Sequence, residues 1–215
     1  MDHGQRPDSA KAIAYEYIKQ GIISGEFKVG EFITESQIAD ELGMSRTPVR
    51  EAVQALEQVG FLRVFPKRGA YIPPIAEHEI REVWDARQLI ELHCVAYATE
   101  LVDSSLCDNL KAHIAGQEEA ARRHDATTFI EHDHAFHRTL VGSAGNSVLN
   151  EFYDSLRDRQ LRMGIRALLS SEERFQQVLR EHRRIVTTIE SGNKDEANEA
   201  LRDHLGRTRV AMSES

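Results

Sequence analysis

The sequence predicts a mainly α-helical chain, with an N-terminal winged helix-turn-helix that carries a small β-hairpin wing and a C-terminal all-α antiparallel helical bundle. Three observations lead to this fold class. Residues 34–72 follow the order helix, tight turn, helix and hairpin. Beyond residue 76 the apolar residues keep helical spacing, and no strand pattern interrupts it. Pro73 and Pro74 separate the two parts.

The first helix of the predicted pair begins at Thr34. Thr34 and Gln37 have the spacing of a capping box, in which each side chain satisfies a free backbone N–H of the other residue. Gly43 supplies the turn that ends this helix, and Ser45 is placed to cap the next one. A short helix and a tight turn therefore lead into the second helix.

The second helix is expected to run to about Val59. Pro48 fits in its first turn, where the missing N–H has no partner in any case. Its apolar stripe faces inward and leaves three polar residues, spaced by four, on the opposite face: Arg46, Arg50 and Gln54. This pattern is typical of a DNA recognition helix, since arginine binds O6 and N7 of guanine and Thr47 or Gln54 can reach phosphates or base edges. A solvated polar face is the alternative.

A β-hairpin is predicted next. Strands over 61–65 and 70–72 are joined by a turn with two cations, Lys67 and Arg68, at its tip. A cationic tip suits a phosphate or a minor groove, although a lysine there also protects an exposed sheet edge. The helix pair and the wing together indicate a DNA-binding domain.

Three segments of this region carry a family resemblance: SRTPVREA at 45–52, GFL at 60–62 and PKRGAY at 66–71. They resemble the DNA-binding domain of GntR-family bacterial transcription regulators. Ser36 stands where the best-studied branch of that family has an arginine that touches DNA. The resemblance implies that Arg50 reads bases within a larger set of operator contacts. That set is Arg46, Thr47, Arg50, Lys67, Arg68 and Gly69.

Length and composition agree with a two-domain regulator. The 215 residues suffice for one small and one mid-sized domain. The net charge of −8 lies mostly after Pro74, so the DNA surface must be a local patch on an acidic protein. Cys94 and Cys107 form no Cys-x-x-Cys pair, and no signal peptide or bilayer-spanning apolar run is evident. We therefore expect a cytoplasmic protein, with no membrane partner and two buried thiols.

The predicted domain organisation has four parts. Residues 1–9 are expected to be a disordered tail, 10–72 the DNA-binding domain, 73–76 a linker, and 77–215 the domain that binds metal and effector and dimerises. Helical spacing within the last part predicts six helices, over 77–102, 104–123, 126–142, 146–169, 172–191 and 194–210. They are expected to form an antiparallel bundle.

Charged and imidazole side chains lie on the apolar stripes of these helices, where burial is costly without a partner. Asp133 and His137 are four residues apart on one stripe and point at one spot. His182 and His204 are each about eleven residues from the turn between the last two helices, so they stand at equal depth. Each histidine alone is more often a structural core residue. Together, three imidazoles and one carboxylate favour a divalent metal, Zn²⁺ or Ni²⁺ before Mn²⁺ or Fe²⁺.

The second resemblance extends over the rest of the chain. Asp133-x-x-Phe136-His137, Gly145-Asn146, Glu181-His182 and His204 in the final helix are similar to the FCD effector domain of the FadR-type GntR subgroup. In that group an aspartate and three histidines in this order bind a divalent metal, which usually helps to hold a small carboxylate effector. The acyl-CoA-binding members lack this metal set, so a fatty acyl effector is not expected. His132 and His134 flank the stripe and are expected at the surface or behind the ligands.

Two arginines are candidate effector contacts. Arg87 lies on an apolar stripe, where a bidentate carboxylate would satisfy its guanidinium. The alternative is a pair within the helix with Glu91, four residues on. In the family that the chain resembles, a matching first-helix arginine often meets the effector. Arg159 is a second candidate of the same kind.

The sequence as a whole predicts a homodimeric repressor that binds a pseudo-palindromic double-stranded operator and is released by a small organic acid at the metal. A hydrolase is the rival class, since such a metal can activate water. No further buried general base is evident beside the four ligands, and a hydrolase would have no need for a recognition helix and wing. A sensor in which the metal is itself the signal is a third possibility.

Overall fold

The computed structural model describes residues 9–101, 103–169, 171 and 173–213. Apart from Ser9, the segment expected to form a disordered tail lies outside the described residues. The chain divides into two compact units, the first ending at Pro74 and the second beginning at Ile75. The first contains the winged helix-turn-helix and the second is helical, so the predicted fold class is confirmed.

In its described part, from residue 9 onward, the first unit contains three helices and three short strands. In chain order they are α1 (Ala10–Ser24), β1 (Phe32–Ile33), α2 (Glu35–Leu42), α3 (Arg46–Gln58), β2 (Arg63–Phe65) and β3 (Gly69–Tyr71). The strands pair antiparallel in the order β1-β3-β2. The wing is therefore a three-stranded sheet rather than the predicted two-stranded hairpin, because β1 precedes the segment in which the hairpin pattern was found.

The starts of α2 and α3 follow from their local sequence. The N–H of Gln37 donates to Thr34 Oγ1 at 3.2 Å and the N–H of Thr34 donates to Gln37 Oε1 at 3.2 Å, which confirms the capping box. Gly43 ends α2 with φ +61°. Ser45 occupies the N-cap position of α3 as predicted, but its side chain makes no capping hydrogen bond.

Gly69 is required where the wing meets β1. Its φ is +106°, and an added Cβ would lie 2.5 Å from the carbonyl oxygen of Ile33. A side chain is therefore excluded by both conformation and space. The close approach holds β3 against β1 and fixes the position of the two cations that precede Gly69.

The second unit contains seven helices among the described residues. They are α4 (Glu77–Leu101), α5 (Ser104–Arg122), α6 (Ala126–Gly142), α7 (Ser147–Ser155), α8 (Arg157–Leu168), α9 (Arg174–Glu190) and α10 (Lys194–Ser213). The prediction of one helix over 146–169 is wrong, because the chain forms two helices, α7 and α8, that are separated at Leu156. The N–H of Leu156 donates to the carbonyl of Tyr153 at 3.0 Å, which closes the last turn of α7. Neither glycine nor proline marks this break, so helical spacing did not reveal it.

The core of the second unit lies between α4, α5, α6, α9 and α10, which pack against one another. Trp84 is fully buried and donates from Nε1 to the carbonyl of Leu205 at 2.6 Å, which ties α4 to α10. Cys94 and Cys107 are buried free thiols, as expected. Among the described helices none is both long and apolar enough to cross a membrane.

Candidate DNA-binding groove and metal centre

One groove of the first unit brings the start of α2, the helix α3 and the wing together. Five of the predicted DNA contacts line it: Arg46, Arg50, Lys67, Arg68 and Gly69. The other two, Thr47 and Gln54, are exposed on α3 but do not line the groove. The recognition helix and the wing thus present their cations to the same space.

Glu35, at the start of α2, pairs with both arginines of the recognition helix. Arg50 donates from Nε to Glu35 Oε1 at 3.2 Å and from Nη2 to Oε2 at 3.1 Å, and Nη2 of Arg46 lies 3.6 Å from Oε2. The hydrogen bond to Glu35 raises the pKa of Arg50. Since a guanidinium has five N–H groups, this clamp leaves hydrogens on Nη1 and Nη2 for a base edge. Glu35 was not predicted to be part of this surface, because its contact with the arginines joins two different helices.

Aromatic residues support the cations of the wing. The Arg68 guanidinium lies 4.3 Å from the centroid of the Phe32 ring, and the rings of Phe65 and Tyr71 pack against Phe32. Lys67 has φ +65° at the turn. Arg68 is therefore held in position by stacking, whereas Lys67 projects from the tip of the turn.

The second unit brings together the four predicted metal ligands. Asp133 and His137 come from α6, His182 from α9 and His204 from α10, and their ligand atoms all lie within 4.8 Å of one another. Nε2 of His137 lies 3.2 Å from Nε2 of His204, and Nε2 of His182 lies 3.5 Å from Asp133 Oδ1. All three imidazoles are buried and turn Nε2 toward the common centre.

A second layer of side chains orients two of the three rings through Nδ1. Nδ1 of His182 lies 2.8 Å from Gln117 Oε1, and Nδ1 of His204 lies 2.8 Å from Glu181 Oε2. These oxygens accept a hydrogen bond, so the proton sits on Nδ1 and the Nε2 lone pair faces the centre. Phe136 also stacks on the His182 ring at 4.1 Å between centroids.

His137 is held differently. Its Nδ1 lies 2.8 Å from Glu91 Oε2, but neither atom has a well-directed hydrogen bond among the described residues. Burial alone would raise the pKa of Glu91, yet the positive charge of Arg87 and the contact with His137 hold it well below the usual range. Glu91 is therefore an ionised carboxylate behind the ligand His137.

The four residues fit a divalent metal ion. Two donor atoms that each lie about 2.1 Å from a common ion are about 3 to 4 Å apart, which matches the distances between Nε2 and carboxylate atoms here. Nε2 of His182 is buried and has no hydrogen-bond partner among the described residues. Burial lowers the pKa of His182 well below its usual value, and burial also lowers the pKa of His204 although Glu181 opposes it. Neutral imidazoles are the form that binds a metal.

Two carboxylates are buried beside the candidate ligands, although no further buried acid or base was evident from the sequence. Glu91 and Glu181 are both buried. Glu91 accepts from Arg87 Nε at 2.7 Å and from the Tyr153 hydroxyl at 2.8 Å, and Glu181 accepts from Arg207 Nη1 at 3.2 Å. Each carboxylate is thus engaged by cations. The signal in the sequence was the placement of Glu91 four residues after Arg87 and of Glu181 directly before His182.

The candidate effector arginines have different positions. Arg87 is buried and forms the pair with Glu91 that was the alternative interpretation, and it also lines a cavity beside Asp133. Arg159 is partly exposed and does not line this cavity, whereas Arg174, which the sequence analysis did not identify, is buried and does.

The neighbouring histidines also differ from each other. His134 is buried and its Nδ1 lies 2.8 Å from Gln160 Oε1. Of the two positions expected for this residue, the one at the surface is therefore wrong. His134 lines the same cavity as Arg87 and Arg174. His132 is partly exposed, as expected for a residue that flanks the buried stripe.

Comparison with known proteins places each unit in a described family. Residues 11–72 match the model of bacterial regulatory proteins of the gntR family, and residues 82–207 match the FCD domain. The HTH-type transcriptional regulator YdhC of Bacillus subtilis (strain 168) is 30% identical over 193 residues, which cover 89% of this chain and 85% of YdhC. The HTH-type transcriptional repressor RspR of Escherichia coli (strain K12) is 26% identical over 194 residues, with coverages of 89% and 83%.

Solved structures share the fold of this chain. A transcriptional regulator GntR from Rhodococcus sp. RHA1 shares the fold with a TM-score of 0.78 at 21% identity, over 94% of this chain and 97% of that chain. The Zn²⁺-bound FCD domain of TM0439 is 25% identical with a TM-score of 0.51, over 65% of this chain and 94% of that domain.

The matched families are transcription regulators rather than enzymes, so the expectation that this protein is not an enzyme is confirmed. The chain belongs to the GntR family of DNA-binding transcription regulators and carries an FCD domain.

Proposed function

We propose that this chain is a homodimeric repressor whose operator affinity is controlled by a small carboxylate bound at a divalent metal, Zn²⁺ or Ni²⁺, in the helical unit. The convergence of Asp133, His137, His182 and His204 carries this proposal. A metal bound there acts as a Lewis acid that attracts a carboxylate. The Zn²⁺-bound FCD domain of TM0439 supports zinc as the ion to test first.

The residues around the cluster favour an anionic ligand. Arg87 and Arg174 are buried, line the same cavity, and are positively charged at physiological pH. A carboxylate in this cavity lies next to guanidinium groups in a region of low dielectric constant, where charge-assisted hydrogen bonds are strong. These arginines would orient the acid while the metal binds one of its carboxylate groups.

We assign operator binding to the groove of the first unit, with Arg50 as the base reader and Lys67 and Arg68 as wing contacts. Glu35 holds the Arg50 guanidinium with two hydrogen bonds, so less side-chain freedom is lost when Arg50 docks on a base. A dimer presents two such helices to two half-sites, which is why the operator is expected to be pseudo-palindromic.

An exposed apolar surface on the helical unit supports dimerisation. Leu89, Tyr97 and Leu101 are exposed on α4, and Val148 and Phe152 are exposed on α7, which packs beside α4. Exposed large apolar side chains on neighbouring helices are typical of protein–protein contacts. We propose that α4 and α7 contribute to the dimer interface, and that the acid favours a dimer geometry that the operator binds less well.

The proposal is tested by metal analysis and calorimetry on the full chain. We expect one zinc per protomer in the wild type and loss of that zinc in His182→Ala, since one of four ligands is removed. His132→Ala is the matched control, because His132 lies on α6 but outside the cluster. A 2-hydroxy acid should bind only to metal-loaded protein. Unchanged zinc stoichiometry in His182→Ala would refute the site.

A metal sensor is the second candidate, and one observation favours it. Four protein ligands satisfy a tetrahedral zinc ion completely, which is typical of structural rather than ligand-binding sites. In that case operator binding would depend on zinc and would not respond to any organic acid. Anisotropy titrations with zinc and with acids, run separately, distinguish the two functions.

A further inference from the structure

A cavity beside the candidate metal ligands is lined by residues with hydrogen-bond donors that have no partner among the described residues. We call it the inner cavity. It is lined by apolar side chains and by six polar residues, Arg87, Asp133, His134, Gln160, Arg174 and Thr208. The metal ligand Asp133 and the donor-bearing residues from α8, α9 and α10 therefore face the same space.

Arg174 supplies the first of these donors. It is 3% exposed, and its Nη2 donates to Thr208 Oγ1 at 2.5 Å while Nη1 lies 3.5 Å from Glu181 Oε1. Its Nε has no hydrogen-bond partner among the described residues. A buried guanidinium donor without an acceptor is costly, so Nε is positioned for an acceptor that a ligand brings.

Gln160 supplies the second donor. It is 6% exposed, and its Oε1 is engaged by Nδ1 of His134 at 2.8 Å. Its Nε2 is buried and, within the described part of the chain, also lacks a partner. Both orphan atoms in the inner cavity are donors, which favours a ligand rich in acceptors at this position.

The charges around Arg174 favour an anionic acceptor. Glu181 is shared between Arg174 and Arg207, so one carboxylate faces two guanidinium groups. By contrast, the charge of Arg87 is matched by its own partner, Glu91. A carboxylate at Nε of Arg174 would balance the excess positive charge and satisfy the donor in a charge-assisted hydrogen bond.

We propose that the effector is a small dicarboxylic acid, with one carboxylate at the metal and the second accepting from Arg174 Nε and Gln160 Nε2. This inference rests on the proposed function, because it uses the metal site to hold the first carboxylate. Arg174 and Gln160 are then the residues that select two-ended acids over monocarboxylates. The inner cavity has a volume of about 20 Å³, which is room for only one or two water-sized groups, so only a small acid that reaches in with its second carboxylate suits it.

Matched pairs of acids test this proposal in zinc-loaded full-length protein. Malate and 2-hydroxybutyrate share the same metal-binding 2-hydroxycarboxylate group, but malate ends in a carboxylate and 2-hydroxybutyrate in a methyl group. 2-Hydroxyglutarate and 2-hydroxyvalerate form a second pair, one carbon longer. By calorimetry, the dicarboxylate of at least one pair should bind on the order of 10- to 100-fold more tightly, the range expected for hydrogen bonds to a charged group.

The variant Gln160→Glu tests whether Gln160 is responsible for the preference for dicarboxylates over monocarboxylates. It keeps an acceptor for His134 and replaces the Nε2 donor by a carboxylate oxygen, so the preference for the dicarboxylate should be lost while the monocarboxylate binds as before. Gln176→Glu makes the same charge change at an exposed position of α9 and should leave the preference intact. Zinc content and far-ultraviolet circular dichroism of each variant report whether the site and fold are preserved.

The outcomes separate this inference from the function on which it rests. Equal affinities within both pairs, or an unchanged preference in Gln160→Glu, would overturn the dicarboxylate proposal while metal-dependent binding of either acid supports the effector site. No binding of any of the four acids to zinc-loaded protein would overturn both.

Discussion

The DNA-binding groove and the metal cluster both hold charged groups in fixed positions, but their surroundings are opposite. Arg46 and Arg50 are paired with Glu35 while more than half of each side chain remains exposed, at 61% and 57%. His137, His182 and His204 are buried almost completely. Exposed ion pairs contribute little and are screened by salt, whereas a buried polar group without a partner is costly.

Because their surroundings differ, variants in the two regions should behave differently. In the groove Arg46 and Arg50 each have Glu35 as an acceptor and also a solvent-facing side, so DNA replaces water and this partner without disturbing the fold. In the cluster every ligand depends on a second residue, such as Gln117 behind His182 and Glu181 behind His204. We therefore expect groove variants to show strong salt dependence, and cluster variants to act together with weak salt dependence.

Removal of zinc should have the largest effect on stability, and this effect should be confined to the second unit. Binding to the folded state alone stabilises it by about 4 kcal/mol when free zinc is about 1,000 times its Kd. Trp84 is the one tryptophan of the chain and is buried in α4, so its fluorescence during urea unfolding reports on this unit. The midpoint should fall when zinc is chelated in the wild type and should be insensitive to zinc in His182→Ala. Equal midpoints with and without zinc in the wild type would contradict a metal site.

Arg50→Ala should have the next largest effect, and only on the operator. Loss of a bidentate contact to guanine costs roughly 1 to 3 kcal/mol for each base that is read, and random DNA offers no such contact. Anisotropy titrations on the operator and on a scrambled duplex measure the two losses. Gln58→Ala, at an exposed position near the end of α3 that does not line the groove, is the comparison variant. Equal losses on both duplexes would show that Arg50 contacts only the backbone.

Glu181→Gln tests the dependence of the cluster on its second layer. Loss of an outer partner of a ligand typically weakens metal affinity by about 10- to 100-fold. Competition with a chromogenic chelator should show that reduction for Glu181→Gln. Glu131→Gln changes the same charge at an exposed site of α6 and should bind zinc as the wild type does. If both variants bind zinc equally well, Glu181 does not tune the site.

Lys67→Ala should have the smallest effect and the least specific one. A lysine at the tip of the wing that contacts a phosphate contributes to all sequences alike, and its removal reduces the slope of log K against log salt by about 1. Titrations of operator and scrambled duplex at several salt concentrations give this slope. A loss restricted to the operator would assign Lys67 to base recognition instead.

The two regions also differ in how far their sequences predicted them. The capping box of Thr34 and Gln37, the placement of Pro48 and the turn at Gly43 depend on neighbours within four residues, so local patterns were sufficient. The four candidate metal ligands could be selected because a polar residue on an apolar stripe is visible in sequence, and the structure brings them together. In each case the informative signal lies within one helix.

Contacts between distant segments could not be predicted for one physical reason. The spacing of residues within a helix or strand does not determine which side chains of another element they contact. Strand β1 pairs with β3, with Phe32 opposite a residue 39 positions further along the chain, and Gln117 reaches His182 from another helix. Arg174 rather than Arg159 lines the inner cavity, and no residue type marks the break between α7 and α8 at Leu156.

The most direct test of the central claim, that an acid at the metal controls operator binding, is release of labelled DNA by an acid. A duplex from the region upstream of this protein's own gene would be titrated with zinc-loaded protein against a scrambled competitor, with and without an acid that calorimetry shows to bind. We predict that the acid weakens operator binding by the wild type and leaves His137→Ala unaffected. An operator complex that does not respond to an acid demonstrably bound to the protein would contradict the account.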